Sequence, residues 1–251
     1  MEEVENRAFL LLRGERLDDL VRDGMRIIQR PDEFCFSLDS VLLAHFVTIR
    51  PRDRFADLGT GTAVIPLLLS AFGASSITAI EKNPVTADMA RRSVAGNGKA
   101  SVISVVEGDY TDPAAFFPSG SFTSVVVNPP YREAGTGAVS PKAGVAAACH
   151  ELTMSLDDVF RAARYLLAYG GRLTMVHRAD RLADLFVTGR KYGMEPKRLR
   201  MIQSHAGEVA SRLLCEWKYG GRPGLTVLAP LVVHEAGGAY TEEVRKIYGK
   251  Q

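Results

Sequence analysis

Short apolar runs alternate with helix-like stretches over most of the chain. The pattern predicts strands at residues 54–58, 77–80, 102–106, 122–127 and 173–176, with less regular strands at 198–202, 213–218 and 225–228. Helical patterns fill intervals at 62–72, 85–95 and 156–168. Strands that alternate with helices predict an α/β, Rossmann-like fold with a doubly wound, mostly parallel sheet, to which we expect an antiparallel edge strand to be added.

Several residues mark the ends of these helices. Pro66 falls in a first turn, where proline is tolerated, and Gly73 follows as a stop signal. Ser155 and Asp158 have the spacing of a capping box, so a helix should begin directly after Ser155. We expect that helix to end at Gly170 and Gly171.

The first part of the chain precedes this alternation. Residues 37–44 read as a loop that leads into an apolar helix. We therefore expect residues 1–50 to form an N-terminal extension that packs on a catalytic domain of residues 51–251.

Composition narrows the class of protein. The 251 residues are 46% apolar and 24% charged, which is enough for a complete core. An uninterrupted apolar run of membrane-spanning length is missing, and the acidic start lacks a signal-peptide pattern. The cysteines, Cys35, Cys149 and Cys215, are odd in number and lack a CxxC pair. These features predict a cytoplasmic protein with no disulfide framework, no zinc site and no membrane partner.

Charge is distributed unevenly along the chain. The net charge is only +2, but residues 178–200 contain seven basic side chains against three acidic ones. The basic residues are Arg178, Arg181, Arg190, Lys191, Lys197, Arg198 and Arg200. Such an excess could contact phosphates or could simply form a solvated helix face, and charge alone does not separate the two.

Ligands of doubly wound sheets bind beyond the carboxyl ends of the strands. The first such place here is the loop Asp57-Leu58-Gly59-Thr60-Gly61. Its glycines allow a tight turn and a close approach to a ligand. Val64 replaces the third glycine of a dinucleotide fingerprint, and the leading acid suits a cationic ligand such as S-adenosylmethionine. An ordinary strand–turn–helix junction is the alternative.

Two further acids follow the next strands. Glu81 closes the second strand, where a carboxylate can accept both hydroxyls of a ribose, although it could also be an exposed strand-end acid. Asp109 follows the third strand and could accept a hydrogen bond from an adenine amino group. Its neighbour Tyr110 could pack at the edge of that site.

The fourth place is Asn128-Pro129-Pro130-Tyr131, directly after the strand 122–127. The prolines cannot donate ladder hydrogen bonds, so the strand must stop and its carbonyl groups turn outward. The Asn128 oxygen and a nearby carbonyl can then accept both protons of an exocyclic amine, while Tyr131 supplies a stacking face. This arrangement positions a planar amine for methyl transfer without a strong base. The alternative is a plain proline-rich turn.

Together these residues resemble the class I methyltransferases with an (N/D)-P-P-(Y/F) motif, and more closely the bacterial tRNA(Val) adenine-N6 methyltransferase family. The resemblance extends over nearly the whole chain. Its distinctive parts are the leader, Glu15-Arg16-Leu17-Asp18 with residues 36–43, and the tail, residues 224–231.

The resemblance implies S-adenosylmethionine as methyl donor and the adenine beside the anticodon of a tRNA as acceptor. The residues implied at the cofactor are Asp39, Asp57, Gly59, Gly61, Glu81 and Asp109, with Asp39 near the methionine part. The residues implied at the base are Asn128, Pro129, Pro130 and Tyr131. An anticodon base must leave its stack to reach such a pocket.

Three regions of the chain carry further expectations about the RNA. Relatives often have Arg-His-Glu where this chain has Cys149-His150-Glu151, which puts an anion contact there in doubt; His150 and Glu151 could orient the preceding loop or only cap a helix. Residues 132–145 could form a lid over the substrate or a plain disordered loop. The residues we expect to contact RNA are Lys142, Lys197, Arg198 and Arg200.

Three other functions stay open at this stage. N-methylation of a glutamine in a protein would present the same amide chemistry to the Asn128 motif. A non-catalytic RNA-binding module would have no need of Asn128 and Tyr131. A nicotinamide-dependent dehydrogenase is disfavoured by Val64.

Overall fold

The computed structural model describes residues 9–20, 22–31, 35–129 and 155–249. The strands are β1 (Arg16–Asp19), β2 (Arg26–Gln29), β3 (Phe55–Leu58), β4 (Ile77–Glu81), β5 (Ile103–Glu107), β6 (Phe122–Val127), β7 (Leu167–Arg178), β8 (Met194–Gln203), β9 (Arg212–Tyr219), β10 (Thr226–Val227) and β11 (Leu231–Val232). The α-helices are α1 (Leu38–Phe46), α2 (Val64–Ala71), α3 (Pro84–Gly96), α4 (Leu156–Leu166), α5 (Leu182–Lys191) and α6 (Glu242–Ile247), with short 3-10 turns at Pro113–Ala115 and Ala179–Arg181.

Nine of the described strands form one sheet in the order β10-β8-β9-β7-β6-β3-β4-β5, with β11 paired to β8 beside β10. All neighbouring pairs are parallel except those that β9 makes with β7 and β8. The predicted fold class is therefore confirmed, and the antiparallel strand lies toward one side of the sheet. Among the described strands of this sheet only β9 is reversed, so the carboxyl ends of the others meet at one edge, which we call the carboxyl edge.

Two apolar layers cover the sheet. One contains buried side chains of α1, α2, α3 and α6, and the other contains those of α4 and α5. The central strand β3 is buried along its whole length. In the neighbouring strand β6, Ser124 and the three valines that follow it are buried as well. Among the described helices, none has the length and apolar character needed to cross a membrane.

The capping box that begins α4 is present, with Ser155 and Asp158 bonded reciprocally. The predicted end of that helix is wrong, because α4 stops at Leu166 and the next residue already pairs with β6. Gly170 and Gly171 lie inside β7, close to the register shift between β6 and β7. Gly170 has a φ of 83°, and a Cβ on Gly171 would meet the Ala168 carbonyl at 2.8 Å. These glycines allow a bulge rather than end a helix.

The N-terminal strands β1 and β2 form a separate antiparallel hairpin that the sequence pattern did not predict. It packs against the end of α3. The Asn97 side chain bonds both backbone groups of Arg26, at 3.0 and 2.6 Å, and Ser93 accepts the amide of Ile28 at 3.0 Å. Arg92 forms a bidentate ion pair with Glu15, at 2.6 and 2.7 Å. Helix α1 belongs to the apolar layer that also contains α2, α3 and α6.

Candidate active site

The loop after β3 carries three left-handed residues within five positions. Gly59, Gly61 and Ala63 have φ values of 66°, 59° and 72°. A side chain on either glycine would add backbone strain of the kind that Ala63 already carries, so the turn itself favours glycine at both positions. The loop is tied to the neighbouring strand by the Thr60 amide, which donates to the Ile80 carbonyl at 3.0 Å. The backbone of residues 59–61 is thereby held at the carboxyl edge.

Asp57, next to the end of β3, is a buried carboxylate. Its side chain is 1% exposed, and neither of its oxygens has a hydrogen-bond partner among the described residues. Burial raises the pKa of Asp57 to about 7; the nearby Thr60 hydroxyl offsets part of that rise, and the charge of Glu81 adds to it. A buried acid without a partner is costly unless a ligand supplies the missing donors. The site therefore suits a ligand with a cationic or hydrogen-bond-donating group.

Glu81 ends β4 and braces the same loop. One carboxylate oxygen accepts the Gly61 amide at 2.9 Å, and the other accepts the Asn83 amide at 2.9 Å. Each oxygen has a second lone pair, so these bonds leave capacity for further donors such as ribose hydroxyls. The sequence did not reveal that Glu81 also shapes the glycine loop.

Asp109 lies beyond β5 and is held by its neighbours. Thr111 donates its amide and hydroxyl to Asp109 at 2.9 and 2.7 Å, and the Lys82 ammonium is 3.1 Å away. Burial raises the pKa of Asp109, but these donors outweigh it and bring the pKa below its ordinary value. Tyr110 is buried, and its ring is 3.5 Å from where a Cβ on Gly59 would lie. The ring therefore closes one side of the glycine loop.

Asn128 follows β6 beside this loop. Strand register pairs Leu58 with Val127, so Asn128 lies next to Gly59 across adjacent strands. The Asn128 Nδ2 donates to the Ser40 hydroxyl at 3.0 Å, and Ser40 is 6% exposed in α1. This bond orients the amide, so that its oxygen points away from Ser40. Pro129 is buried, whereas Pro130 and Tyr131 lie outside the described residues.

The N-terminal turn of α1 adds an ion pair to the site. Asp39 accepts from the Arg212 guanidinium at 3.3 Å, and Arg212 begins the reversed strand β9. The sequence indicated Asp39 but not Ser40 or Arg212. A serine inside an otherwise apolar helix face was the available signal for Ser40, because burying a hydroxyl requires a partner.

The basic side chains of residues 178–200 have partners inside the protein. Arg190 pairs with Glu195 at 2.9 Å, Arg181 with Asp184 at 2.6 Å and Arg200 with Glu243 at 2.7 Å. The remaining pairs are Arg178 with Asp180, Lys191 with Asp157, Arg198 with Glu216 and with the ring of Phe46, and Lys197 with the Arg222 carbonyl.

An RNA phosphate at Lys197, Arg198 or Arg200 would have to displace or share these bonds. Contact of these three residues with RNA stays a prediction. The Lys142, Cys149-His150-Glu151 and 132–145 predictions concern residues outside the described part of the chain. Among the residues that are described, there is no cluster of three or more His, Cys, Asp or Glu side chains that could hold a metal ion.

Comparison with known proteins gives this site a family. The family model described as methyltransferase small domain matches residues 36–184. A tRNA1(Val) (adenine(37)-N6)-methyltransferase of Porphyromonas gingivalis is 31% identical over 196 residues, which cover 74% of each chain. A protein of the same name from Photobacterium profundum is 27% identical, covering 80% of this chain and 84% of the relative.

A solved structure has the same fold as this chain. The crystal structure of a predicted O-methyltransferase from Agrobacterium tumefaciens superimposes with a TM-score of 0.66 and 28% identity, covering 84% of this chain and 95% of that one. The sheet order and the acidic glycine loop define the class I methyltransferases, which are S-adenosylmethionine-dependent enzymes. Within this class, the chain belongs to the methyltransferase small domain family, in the group of the bacterial tRNA1(Val) (adenine(37)-N6)-methyltransferases.

Proposed function

We propose that this enzyme methylates N6 of an adenine in the anticodon loop of a valine tRNA. The relatives that carry this activity in their names cover most of the chain. The observation that carries the proposal is Asn128, bonded to Ser40 and adjacent to Gly59 at the carboxyl edge. A tRNA substrate also implies that the enzyme works in the cytoplasm.

We assign the cofactor to the buried acid and the glycine loop. Asp57 offers two unpartnered buried oxygens to a cationic group, and the backbone at Gly59 and Gly61 leaves room for close approach. Glu81 would accept ribose hydroxyls, and Asp109 the adenine amino group of the cofactor. Asp39 would lie toward the methionine part. When bound, S-adenosylmethionine supplies an electrophilic methyl group on a sulfonium.

The chain's own residues have to make a poor nucleophile reactive. The lone pair of an adenine amino group is delocalised into the ring. The Asn128 oxygen, with a carbonyl near Pro129, would accept the two N–H bonds and so favour a pyramidal nitrogen whose lone pair points at the methyl carbon. This is orientation and electrostatic stabilisation, and it requires no strong base. Tyr131 would stack on the base, as the motif predicts.

The N-terminal extension, residues 1–50, has a part in this proposal. Its hairpin packs on α3, and its helix α1 supplies Ser40, the partner of Asn128. We propose that this region packs on the methyltransferase domain of residues 51–251 and completes the acceptor side of the site.

The experiment is nucleoside mass spectrometry of undermodified tRNA after incubation with labelled S-adenosylmethionine. The expected product is N6-methyladenosine in valine tRNA. A 2′-O-methylated nucleoside would instead favour an O-methyltransferase, the activity for which the Agrobacterium protein is named, and label in a protein glutamine would favour the amide alternative.

Asn128→Ala should lose at least about 100-fold in turnover, because the amine is no longer oriented. Its affinity for the cofactor should stay within twofold of wild type, and equal loss of both would contradict the assigned role.

A further inference from the structure

Four aromatic rings lie in a row beyond the ends of β8 and β11, with the pair His205–His234 tilted by 34°. His205 lies 5.6 Å from His234 between ring centroids, His234 lies 5.4 Å from Tyr240, and Tyr240 lies 5.6 Å from Tyr248. The last two pairs are close to parallel, with interplanar angles of 25° and 11°. Tyr248 packs against the apolar layer of α1 and α2. At the other end of the row, the His205 side chain is 41% exposed.

Backbone hydrogen bonds join the segments that carry His205, His234 and Tyr240. The Val233 amide donates to the Gln203 carbonyl at 2.9 Å, and the His234 amide donates to the Ser204 carbonyl at 2.8 Å. An antiparallel bridge joins His234 to Tyr240. The row is thus a preorganised surface, and adding another ring to it requires little ordering of the protein.

The row lies at the same edge of the sheet as Asn128. Strand β8 is parallel to β6 and is separated from it by β7 and β9, which corresponds to about 14 Å at ordinary strand spacing. Arg178 and Arg212 face each other on the two intervening strands. Their registers place them on the α1 side of the sheet, with Val176 and Leu214, and Asn128 is on that side too. A short single strand of RNA running from Asn128 to His205 would pass over two arginines.

We propose that His205, supported by His234 and Tyr240, is a stacking subsite for an unpaired nucleotide that flanks the methylated adenine. Aromatic side chains recognise unpaired bases by stacking, and a ring already held in a row presents a rigid face. Arg178 pairs with Asp180 and Arg212 with Asp39, so each would contact the connecting phosphates by sharing or exchanging its present ion pair. This inference rests on the proposed tRNA substrate. The subsite would hold the anticodon loop at a second point, beside the reacting base.

A second exposed aromatic pair provides a matched control. Tyr169 and Tyr219 lie 5.3 Å apart, and Tyr169 is 78% exposed. Tyr169 is near the start of β7, at the opposite edge of the sheet from Asn128. If any exposed ring bound RNA equally well, replacing Tyr169 by alanine would weaken RNA binding as much as replacing His205.

The experiment uses the full-length enzyme and a transcribed valine anticodon stem-loop. The Kd is measured by fluorescence anisotropy, and 2-aminopurine is placed in turn at each loop position. We expect His205→Ala to raise the Kd about tenfold, in line with the loss of one stacked base. His205→Phe and Tyr169→Ala should bind within twofold of wild type. One 2-aminopurine position should be quenched by the wild type and not by His205→Ala.

Salt dependence separates stacking from phosphate contact. Arg178→Gln should reduce the slope of log K against log salt by about one, and His205→Ala should leave the slope unchanged. Equal binding by wild type and His205→Ala, or an equal loss in Tyr169→Ala, would overturn the proposal, as would the absence of any quenched position in the wild type. If the wild type fails to methylate valine tRNA at all, the proposed function has failed, and this subsite falls with it.

Discussion

Asp57 is the residue at which stability and function conflict most directly. A carboxylate that is 1% exposed and has no described hydrogen-bond partner prefers to be protonated, and its pKa rises to about 7 because of burial. In the unfolded chain the same group titrates near its ordinary value of 3.8. Between these two values the folded protein binds more protons than the unfolded chain does.

This difference predicts how the cofactor-free enzyme responds to pH. Asp57 should lower the free energy of unfolding as pH rises from about 4 to about 7, by at most about 4 kcal/mol in total. Below and above that interval, the contribution of Asp57 to the free energy of unfolding should not change with pH. Asp57→Asn, which carries no charge, should lack this decline. The measurement is urea unfolding of both proteins from pH 4 to 8, and a pH-independent difference between them would contradict the assigned pKa.

In the proposed chemistry, Ser40 is a positioning residue for Asn128. Removal of its hydroxyl in Ser40→Ala takes away the acceptor for Asn128 Nδ2, so the amide can rotate. We expect kcat to fall about tenfold, equivalent to about 1.4 kcal/mol of transition-state stabilisation. The KM for the cofactor should change little, since Ser40 is assigned to the acceptor side.

Two comparisons distinguish this role from a general effect on α1. Ser37 precedes the same helix, and its side chain makes no capping hydrogen bond, so Ser37→Ala should keep full activity. Ser40→Thr retains the hydroxyl and should recover much of the lost rate. If Ser40→Ala costs as much in the Asn128→Ala background as in the wild type, the two residues act independently and the positioning role is wrong.

At the scale of elements, the end of α3 holds the N-terminal region on the domain. A Cβ added to Gly96 would lie 2.3 Å from the Phe9 ring, so the two surfaces leave no space for a methyl group. A helical glycine usually gains stability on replacement by alanine. Here we expect the reverse, because the Phe9 ring must leave its place on the helix.

Gly96→Ala should lower the free energy of unfolding by about 1–3 kcal/mol, as overpacking does. Chemical denaturation of the two single variants and the double variant with Phe9→Ala tests this. Phe9→Ala should cost less in the Gly96→Ala background than in the wild type, because the clash is then gone. Additive costs would show that Phe9 does not pack on Gly96 in solution.

The local pattern of apolar and polar residues predicted the strands of the main sheet that form long apolar runs. Strand β6 has its predicted bounds because Val125, Val126 and Val127 form an unbroken apolar run before two prolines. The β1–β2 hairpin escaped prediction because its strands are four residues each and its partners on α3 lie more than 60 positions away. The end of α4 was predicted wrongly at Gly170 and Gly171, because a pair of glycines occurs both at helix ends and in strand bulges.

In the candidate site, too, residues that follow from local sequence were predicted, and residues defined by long-range contacts were not. The acids and glycines at the carboxyl ends of β3, β4 and β5 were predicted because each lies at or just beyond the end of a mostly apolar run, and parallel strands end at one edge. The sequence did not indicate Ser40, Arg212 or the aromatic row, because each is defined by contacts between distant segments of the chain. Ser40 meets Asn128 across 88 positions, and Arg212 meets Asp39 across 173.

For the molecule as a whole, folding, proton binding and cofactor binding are linked through the carboxyl edge. A ligand that binds only the folded state stabilises it, by about 2.7 kcal/mol at a hundred times its Kd. If the ammonium of S-adenosylmethionine meets Asp57, the ligand must bind the ionised acid. Binding below pH 7 then includes the cost of removing a proton from a buried carboxyl.

Affinity for S-adenosylmethionine should therefore rise about tenfold from pH 6 to pH 7.5 and level off above, since Asp57 is mostly ionised there. Cofactor-induced thermal stabilisation should grow over the same interval. Calorimetric titration near pH 6 in two buffers of different ionisation enthalpy should detect release of close to one proton per cofactor. Asp57→Asn should bind more weakly at pH 7.5, with no such proton release and with nearly pH-independent affinity. Proton release that persists in Asp57→Asn would assign the linkage to another group and would remove Asp57 from the ammonium site.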